Sequence, residues 1–375
     1  MRGPAVRPIV VAAGGTGGHL FPAEALAAEL VARGHRVVLM TDGRSGGLHG
    51  FAAGDAFVLR GAGIAGRGVL RAGQAALALA AGTVQARGIL GRLDAAAVVG
   101  FGGYPSVAPV LAARSLRRRP AVVLHEQNAV LGRANRQLAR FADRLALGMA
   151  GTRRLPRGVP HGIPTMHTGN PVRPAVLALA GQGYAAPAPD APLRLLVTGG
   201  SLGARVFSDA VPAAVALLPP ALRGRLRITQ QCRAEDLERV RAAYGLAGVP
   251  AELAAFFPDL PARLAAAHFV VARAGAGTVA ELCAIGRPAL LVPLPGAIDD
   301  HQAFNAAASG ADVLDQAVAA DPAALAGALA RALLDPGHLA AAAARVAARA
   351  IPDAAARLAD LVEQAVQTHA QGARA

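Results

Sequence analysis

The chain has 375 residues, 54% hydrophobic and 17% charged, which suits two ordinary domains with cores of their own and excludes a disordered chain. Its net charge is +14 at pH 7, and the sequence contains no lysine, so arginine carries the basic charge. Such a balance points to nucleic acid, anionic lipid or phosphorylated small molecules. Nucleic acid is the weakest of these, because aromatics make up only 3%, Trp is absent, and no zinc-finger or RNP-type pattern occurs. Cys232 and Cys283 are the only cysteines and lie far apart, so no disulfide framework or metal spacing is expected, and a reducing cytosol is the expected compartment. The N-terminal apolar run is cut by glycines after five residues and does not make a signal peptide. No uncharged apolar stretch reaches the roughly 18 residues that span a bilayer.

In chain order, the first element is the apolar run Ile9–Ala13, of the kind that forms a buried strand. Gly14-Gly15-Thr16-Gly17-Gly18-His19 follows, and Leu20–Leu30 then has a helical apolar pattern. Glycines let a backbone approach an anion, and a helix start offers unpaired N–H groups and partial positive charge. His19 puts a titratable group beside whatever the turn holds. The turn is not a P-loop, because no Gly-Lys-Ser/Thr follows. Gly15 and Gly17 could begin a dinucleotide fingerprint with Asp42 as the ribose acid, but Leu20 stands at the third glycine position. The plain alternative is a tight turn with Thr16 as helix N-cap.

Further strands are expected at Arg36–Met40, Ala96–Val99, Ala121–Leu124 and Arg144–Leu147. Between them, Ala56–Leu93 contains Arg60, Arg67, Arg71, Arg87 and Arg92, no acid, and the apolar stretch Ala75–Ala81. That composition suits a helix lying on an anionic membrane, and equally a solvated basic surface. His125-Glu126-Gln127-Asn128 packs four polar groups at a strand end, costly to bury without ligands or partners. Pro, Gly and Arg then accumulate from Gly151 to Pro174, and the domain boundary is read near Gly169, giving domains 1–168 and 169–351.

The architecture restarts at Leu193–Val197, which leads into Gly199-Gly200-Ser201-Leu202-Gly203-Ala204-Arg205. Strands at Leu226–Thr229, Phe269–Ala272 and Ala289–Val292 alternate with helices. A third glycine turn, Arg273–Thr278, precedes Thr278-Val279-Ala280-Glu281, which reads as a capping box. Alternatively, Glu281 accepts hydrogen bonds from a pair of sugar hydroxyls. Pro293–Gln302 is a polar loop in which Asp299 and Asp300 fit a plain N-cap, while His301 and Gln302 have no evident core role. Alanine-rich helices run from about Pro322, interrupted at Pro336 and Pro352, and the stretch 352–375 hints at a helix crossing back to the first domain. The βαβ alternation predicts an α/β protein of doubly wound parallel sheets, which bind ligands at the carboxyl ends of their strands. No Asp-x-Asp element occurs, and no Ser-His-Asp or Cys-His spacing is evident, so neither a metal clamp nor a cofactor is expected.

Seven elements in order, Gly14–Pro22, Phe101–Ser106, Leu124–Asn128, Gly169–Arg173, Gly199–Arg205, Gly275–Glu281 and Asp300–Asn305, resemble the MurG family. They span nearly the whole chain. The resemblance implies a GT-B fold, two Rossmann-like domains facing a cleft, and inverting transfer of N-acetylglucosamine from UDP-N-acetylglucosamine to lipid I, giving lipid II in peptidoglycan synthesis. It implies that Glu281 takes the ribose hydroxyls, that Ser201 and the turn Gly275, Ala276, Gly277, Thr278, Val279 and Ala280 face the diphosphate, and that the backbone near Phe257 faces the uracil. His301 and Gln302 would reach the sugar, Arg173 would assist from the hinge, and Thr16, Gly17, Gly18 and Asn128 would complete the donor site. Gly14, Gly15 and Tyr104 would lie towards the acceptor, with His19 as the base. The chain departs from some relatives at Gly277, where they carry a larger residue, and at His301, where they carry glutamine. The partners implied are UDP-N-acetylglucosamine, lipid I and an anionic membrane surface, with peripheral attachment to the cytoplasmic face of the bacterial inner membrane. The alternatives are another UDP-sugar GT-B enzyme, either a glycosyltransferase or an epimerase, and a nicotinamide-dependent dehydrogenase using Gly14–Gly18 and Asp42.

Overall fold

The computed structural model describes residues 7–14, 17–42, 51–52, 54–59, 69–155, 162–200 and 203–372. Gly15, Thr16, Arg60, Arg67 and Ser201 lie outside the described residues. The chain divides into two compact units, Met1–Arg173 with Asp353–Ala375, and Pro174–Pro352.

The first unit carries a seven-stranded sheet in the order β3-β2-β1-β4-β5-β6-β7. Its strands are β1 Ile9–Ala12, β2 Val37–Asp42, β3 Asp55–Leu59, β4 Ala97–Gly100, β5 Ala121–Glu126, β6 Arg144–Leu147 and β7 Thr165–His167. Every pairing is parallel, with Val10 beside Val38 on one side and Val98 on the other. The central strands β1, β2, β4 and β5 are buried along their whole length, as a sheet covered on both faces requires; they read as apolar runs, with polar pairs only at the ends of β2 (Thr41-Asp42) and β5 (His125-Glu126).

Alternation along these strands divides the core in two. Ile9, Val11, Leu39, Val99 and Val123 point to one face, where helix α1 (Gly17–Ala32) and the terminal helix Ala354–Gly372 supply Leu26, Leu30, Leu358 and Val362. Val10, Val38, Val98 and Val122 point to the other face, covered by α2 (Val69–Leu93) and α3 (Gly103–Ser115) through Ile89, Leu90, Val110 and Ala113. The terminal helix is also held by charge, since Arg33, just past the end of α1, pairs with Asp360 at 2.6 Å and Glu363 at 3.1 Å.

The second unit carries a six-stranded parallel sheet in the order β10-β9-β8-β11-β12-β13. Its strands are β8 Leu193–Thr198, β9 Leu226–Gln231, β10 Ala251–Ala254, β11 Phe269–Ala272, β12 Ala289–Leu291 and β13 Asp312–Val313. Phe207, Val211, Phe269, Val271, Leu325 and Leu329 belong to its core. The helices Pro322–Leu333 and Pro336–Ala347 each start with Pro after an aspartate cap, Asp321 accepting from Ala323 N–H and Asp335 from Gly337 N–H. Proline at the first helical position loses no hydrogen bond and presets the backbone, so these prolines punctuate separate helices.

Candidate active site

The strand order reverses between β1 and β4 in the first sheet and between β8 and β11 in the second. At such a point the connections leave on opposite faces of the sheet and open a crevice at the carboxyl ends of the strands. The glycine turns singled out in the sequence follow these four strands.

In the first unit, a Cβ on Gly14 would fall 2.8 Å from Thr41 Oγ1, 2.9 Å from Asp42 Oδ1 and 3.1 Å from Pro105 Cγ, so only glycine lets the chain leave β1 along this path. The helix α1 starts at Gly17, which puts Gly18 and His19 in its first turn. Asp42, weighed above as a ribose acid, is 5% exposed at the end of β2. After β4, Gly102 and Gly103 have φ of 79° and 66°, the left-handed region that glycine adopts without strain. They bring Tyr104 into the first turn of α3, where its hydroxyl is buried with no hydrogen-bond partner among the described residues. Ser106 ties this turn to β1 by donating to Ala12 O at 3.0 Å.

The polar run at the end of β5 is held by hydrogen bonds, with His125, Glu126 and Gln127 buried and Asn128 partly so. The Glu126 carboxylate accepts from Asn128 N–H and Nδ2 at 3.0 Å each, from Gly132 N–H at 2.8 Å and from Asn135 Nδ2 at 2.9 Å. Asn128 is therefore held by a carboxylate. Gln127 reaches His19, its Oε1 lying 3.1 Å from His19 Nδ1. The Arg173 guanidinium lies 4.2 Å over the Phe21 ring of α1.

His125 is completely buried, and burial pushes its imidazole down to about 4, with the Gly169 carbonyl opposing the shift and His19 adding to it. A histidine with a folded value below its ordinary 6.5 binds its proton first in the unfolded chain. Stability is therefore full above about 6.5 and is lost as pH falls towards 4. Each pKa unit corresponds to about 1.4 kcal/mol, so this group alone removes roughly 3 kcal/mol across the window. Urea midpoints measured across that range are expected to fall with pH, and His125→Asn is expected to flatten the dependence.

In the second unit, β8 opens into Gly199 and Gly200, the latter at φ 78°. A Cβ on Gly199 would lie 2.2 Å from Ala204 N, so no side chain fits there. Thr198 Oγ1 donates to Gln231 Oε1 at 2.8 Å and fixes the strand end below the turn. After β11, Gly275 is the N-cap of the helix Ala276–Ile285 and no side chain caps it. This corrects the capping-box expectation: Thr278 is the third residue inside the helix, and the spacing to Glu281 is an intrahelical one. Ala276, Gly277 and Thr278 form the first turn, followed by Val279, Ala280 and Glu281, the last 9% exposed. A Cβ on Gly277 would meet nothing within 4 Å, so the position has room for the larger residue of some relatives. The turn is pinned from the next helix, where buried Asn305 donates to Ala274 O at 3.0 Å.

The loop before the helix His301–Ala308 also differs from expectation. Asp299 and Asp300 have φ of 57° and 53°, and the Asp300 side chain makes no capping bond, so the pair is not a plain N-cap. Two successive non-glycine residues in left-handed geometry cost of order 1–3 kcal/mol each. Gln302 Oε1 accepts from Leu294 N–H at 3.0 Å, and His301 Nδ1 donates to Ile298 O at 2.8 Å. Phe257, after β10, is 6% exposed beneath the Arg263 guanidinium at 4.3 Å, while neighbouring Phe256 is 72% exposed.

The structure thus gathers Gly14, Gly17, Gly18, His19, Tyr104 and Asn128 at the strand ends of one unit, and Gly275–Glu281, His301 and Gln302 at those of the other. Sequence reading missed Gln127, Asn135 and Asn305 as individual supports. Asn305 stood out only as a polar side chain between Phe304 and Ala306, while Gln127 and Asn135 lie among other polar residues and gave no signal of their own. Among the described residues, no group of three or more His, Cys, Asp or Glu is arranged to hold a metal ion.

Comparison with known proteins agrees across both units. Residues 9–147 match the glycosyltransferase family 28 N-terminal domain, and residues 194–358 match the C-terminal domain of that family. A protein of Granulibacter bethesdensis named UDP-N-acetylglucosamine–N-acetylmuramyl-(pentapeptide) pyrophosphoryl-undecaprenol N-acetylglucosamine transferase is 59% identical, over 98% of this chain and 96% of its own. A protein of the same name from Acidiphilium cryptum is 55% identical, over 98% and 99%. Among solved structures, MurG of Acinetobacter baumannii superposes with a TM-score of 0.74 at 29% identity, covering 96% of this chain and 99% of that one. The chain belongs to glycosyltransferase family 28 and, within it, to the MurG family.

Proposed function

We infer that the protein transfers N-acetylglucosamine from UDP-N-acetylglucosamine to the 4-hydroxyl of undecaprenyl-pyrophosphoryl-N-acetylmuramoyl-pentapeptide, converting lipid I to lipid II. The observation that carries this reading is identity above one half along nearly the whole chain to transferases named for that reaction. Glycine turns at both topological switch points support it.

The transfer is inverting. The acceptor hydroxyl attacks C1 of the sugar while UDP departs from the opposite face. Charge develops on the departing diphosphate, and fixed N–H donors stabilise it most where they need not reorganise. The turn Gly275–Ala280 supplies such donors at a helix start. Glu281 accepts from the ribose hydroxyls, and His301 and Gln302 contact the sugar. His19 removes the proton of the attacking hydroxyl, and Tyr104 and Gly14 lie on the acceptor side. Incubation with labelled UDP-N-acetylglucosamine and a lipid I analogue tests the assignment. Label should move to the lipid only when the acceptor is present. Consumption of the nucleotide sugar without acceptor would indicate an epimerase instead.

The acceptor is a membrane lipid, and no helix among the described residues is long and apolar enough to cross a membrane. We place the protein peripherally on the anionic cytoplasmic leaflet. Supporting this, α2 exposes Leu77 at 73% and Val84 at 72%, and Arg87 and Arg92 are exposed on the same helix. Co-sedimentation with liposomes should rise with anionic lipid content and fall with salt. Binding indifferent to both would remove the electrostatic contribution.

A further inference from the structure

Gln127 does more than fill space beside His19. Its amide sits in the middle of a hydrogen-bonded chain whose direction is fixed from the far end. Gly169 O, which can only accept, lies 3.1 Å from His125 Nε2, so that nitrogen carries the hydrogen. The buried His125 ring is neutral, which leaves Nδ1 with a lone pair. Gln127 Nε2 lies 3.1 Å from that Nδ1 and donates to it. The second amide hydrogen goes to Phe101 O at 3.0 Å.

The opposite amide orientation fails at both Phe101 and His125. It would set Gln127 Oε1 against Phe101 O and demand a hydrogen on His125 Nδ1 as well as on Nε2. His125 would then be an imidazolium buried against Phe101, whose ring centroid is 5.2 Å away. With the amide fixed, Oε1 is the atom facing His19 Nδ1 at 3.1 Å, and an amide oxygen can only accept. His19 Nδ1 therefore carries the hydrogen. The lone pair is left on Nε2, which faces Gly103, where a Cβ would come within 3.4 Å of it.

We propose that Gln127 is a positioning residue that holds His19 in its Nδ1–H tautomer, so that Nε2 is the atom that accepts the proton of the attacking hydroxyl. This rests on the reading of His19 as the base. The hydrogen bond on one imidazole nitrogen decides which of the two is available for chemistry. Here a neutral amide does so, oriented by a second histidine and two backbone carbonyls. No proton passes through the amide, since Gln127 keeps both of its hydrogens. When Nε2 takes the substrate proton, Nδ1–H remains bound to Oε1, and the ring does not have to turn.

The test uses the full chain with 15N-labelled histidine, its His19 signals assigned by comparison with His19→Ala. With the His19 ring neutral, long-range proton–nitrogen spectra should show Nδ1 protonated and Nε2 bare. A protonated Nε2 in the unsubstituted protein overturns the proposal outright, without recourse to any variant. Gln127→Met keeps length and removes both amide functions. It should shift His19 towards the Nε2–H form and lower kcat by roughly tenfold to a hundredfold, the range seen when the partner orienting a metal-bound imidazole is lost, with KM for UDP-N-acetylglucosamine unchanged. In a His19→Ala background the same substitution should change kcat no further. An equal loss in both backgrounds would show that Gln127 acts otherwise than through His19. The base assignment fails separately, if His19→Ala itself retains near-normal kcat.

Discussion

His19→Ala is expected to lower kcat with a lipid I analogue by about 10²–10⁴-fold, the usual contribution of a positioned general base. KM for UDP-N-acetylglucosamine should change little, because His19 acts on the acceptor hydroxyl and not on the nucleotide. The side chain is half-buried in the first turn of α1, and its recorded hydrogen bond is the one to Gln127. The loss should therefore fall on catalysis rather than folding, which thermal unfolding of the variant would check. Near-normal kcat would remove His19 from the chemistry and leave it a polar residue at a helix start.

Glu281→Ala should act on the other kinetic parameter. A ribose diol held by a carboxylate is the same in ground state and transition state, so its loss weakens both equally. KM for the donor rises and kcat stays level, the signature of lost uniform binding. A hydrogen bond to a charged group is worth about 1.5–3 kcal/mol, so each one lost costs roughly tenfold to a hundredfold in KM. Glu281→Gln keeps the shape of a residue only 9% exposed and should give an intermediate value. An unchanged KM in both variants would return Glu281 to a structural role. That role is not helix capping, since Gly275 holds the cap position.

The central strands were legible because their chemistry is one-sided: β1, β4, β5, β8 and β11 are short apolar runs ending in glycine or polar turns. The four strands that escaped notice are β3, β7, β10 and β13, and these are the four edges of the two sheets. An edge strand is covered less and need not be apolar. β7 is exposed throughout as Thr-Met-His, and Asp55 and Ala56 of β3 are exposed too. The glycine turns were legible as motifs, since a backbone that must pass where a Cβ would clash leaves a mark in the sequence. Thr278–Glu281 was misread because its spacing is the same whether Thr278 precedes the helix or lies inside it. The Gln127 contacts left no local signal: the residue meets His19 across 108 positions of sequence, and its role depends on which amide atom points where.

The terminal helix has a consequence for how the protein is made. Leu358, Leu361, Val362 and Ala365 complete the same core layer as Ile9, Val11, Leu26 and Leu30. Chains are synthesised from the N-terminus, and domains generally fold in that order. Here the order inverts. When Pro352 has been added, the second unit already has its whole sequence. The first unit, begun earlier, keeps an apolar face open beside α1 until Ala354–Gly372 is made. The first domain to be written is the last to close, and until then it is a natural client for chaperones that cover exposed apolar surface.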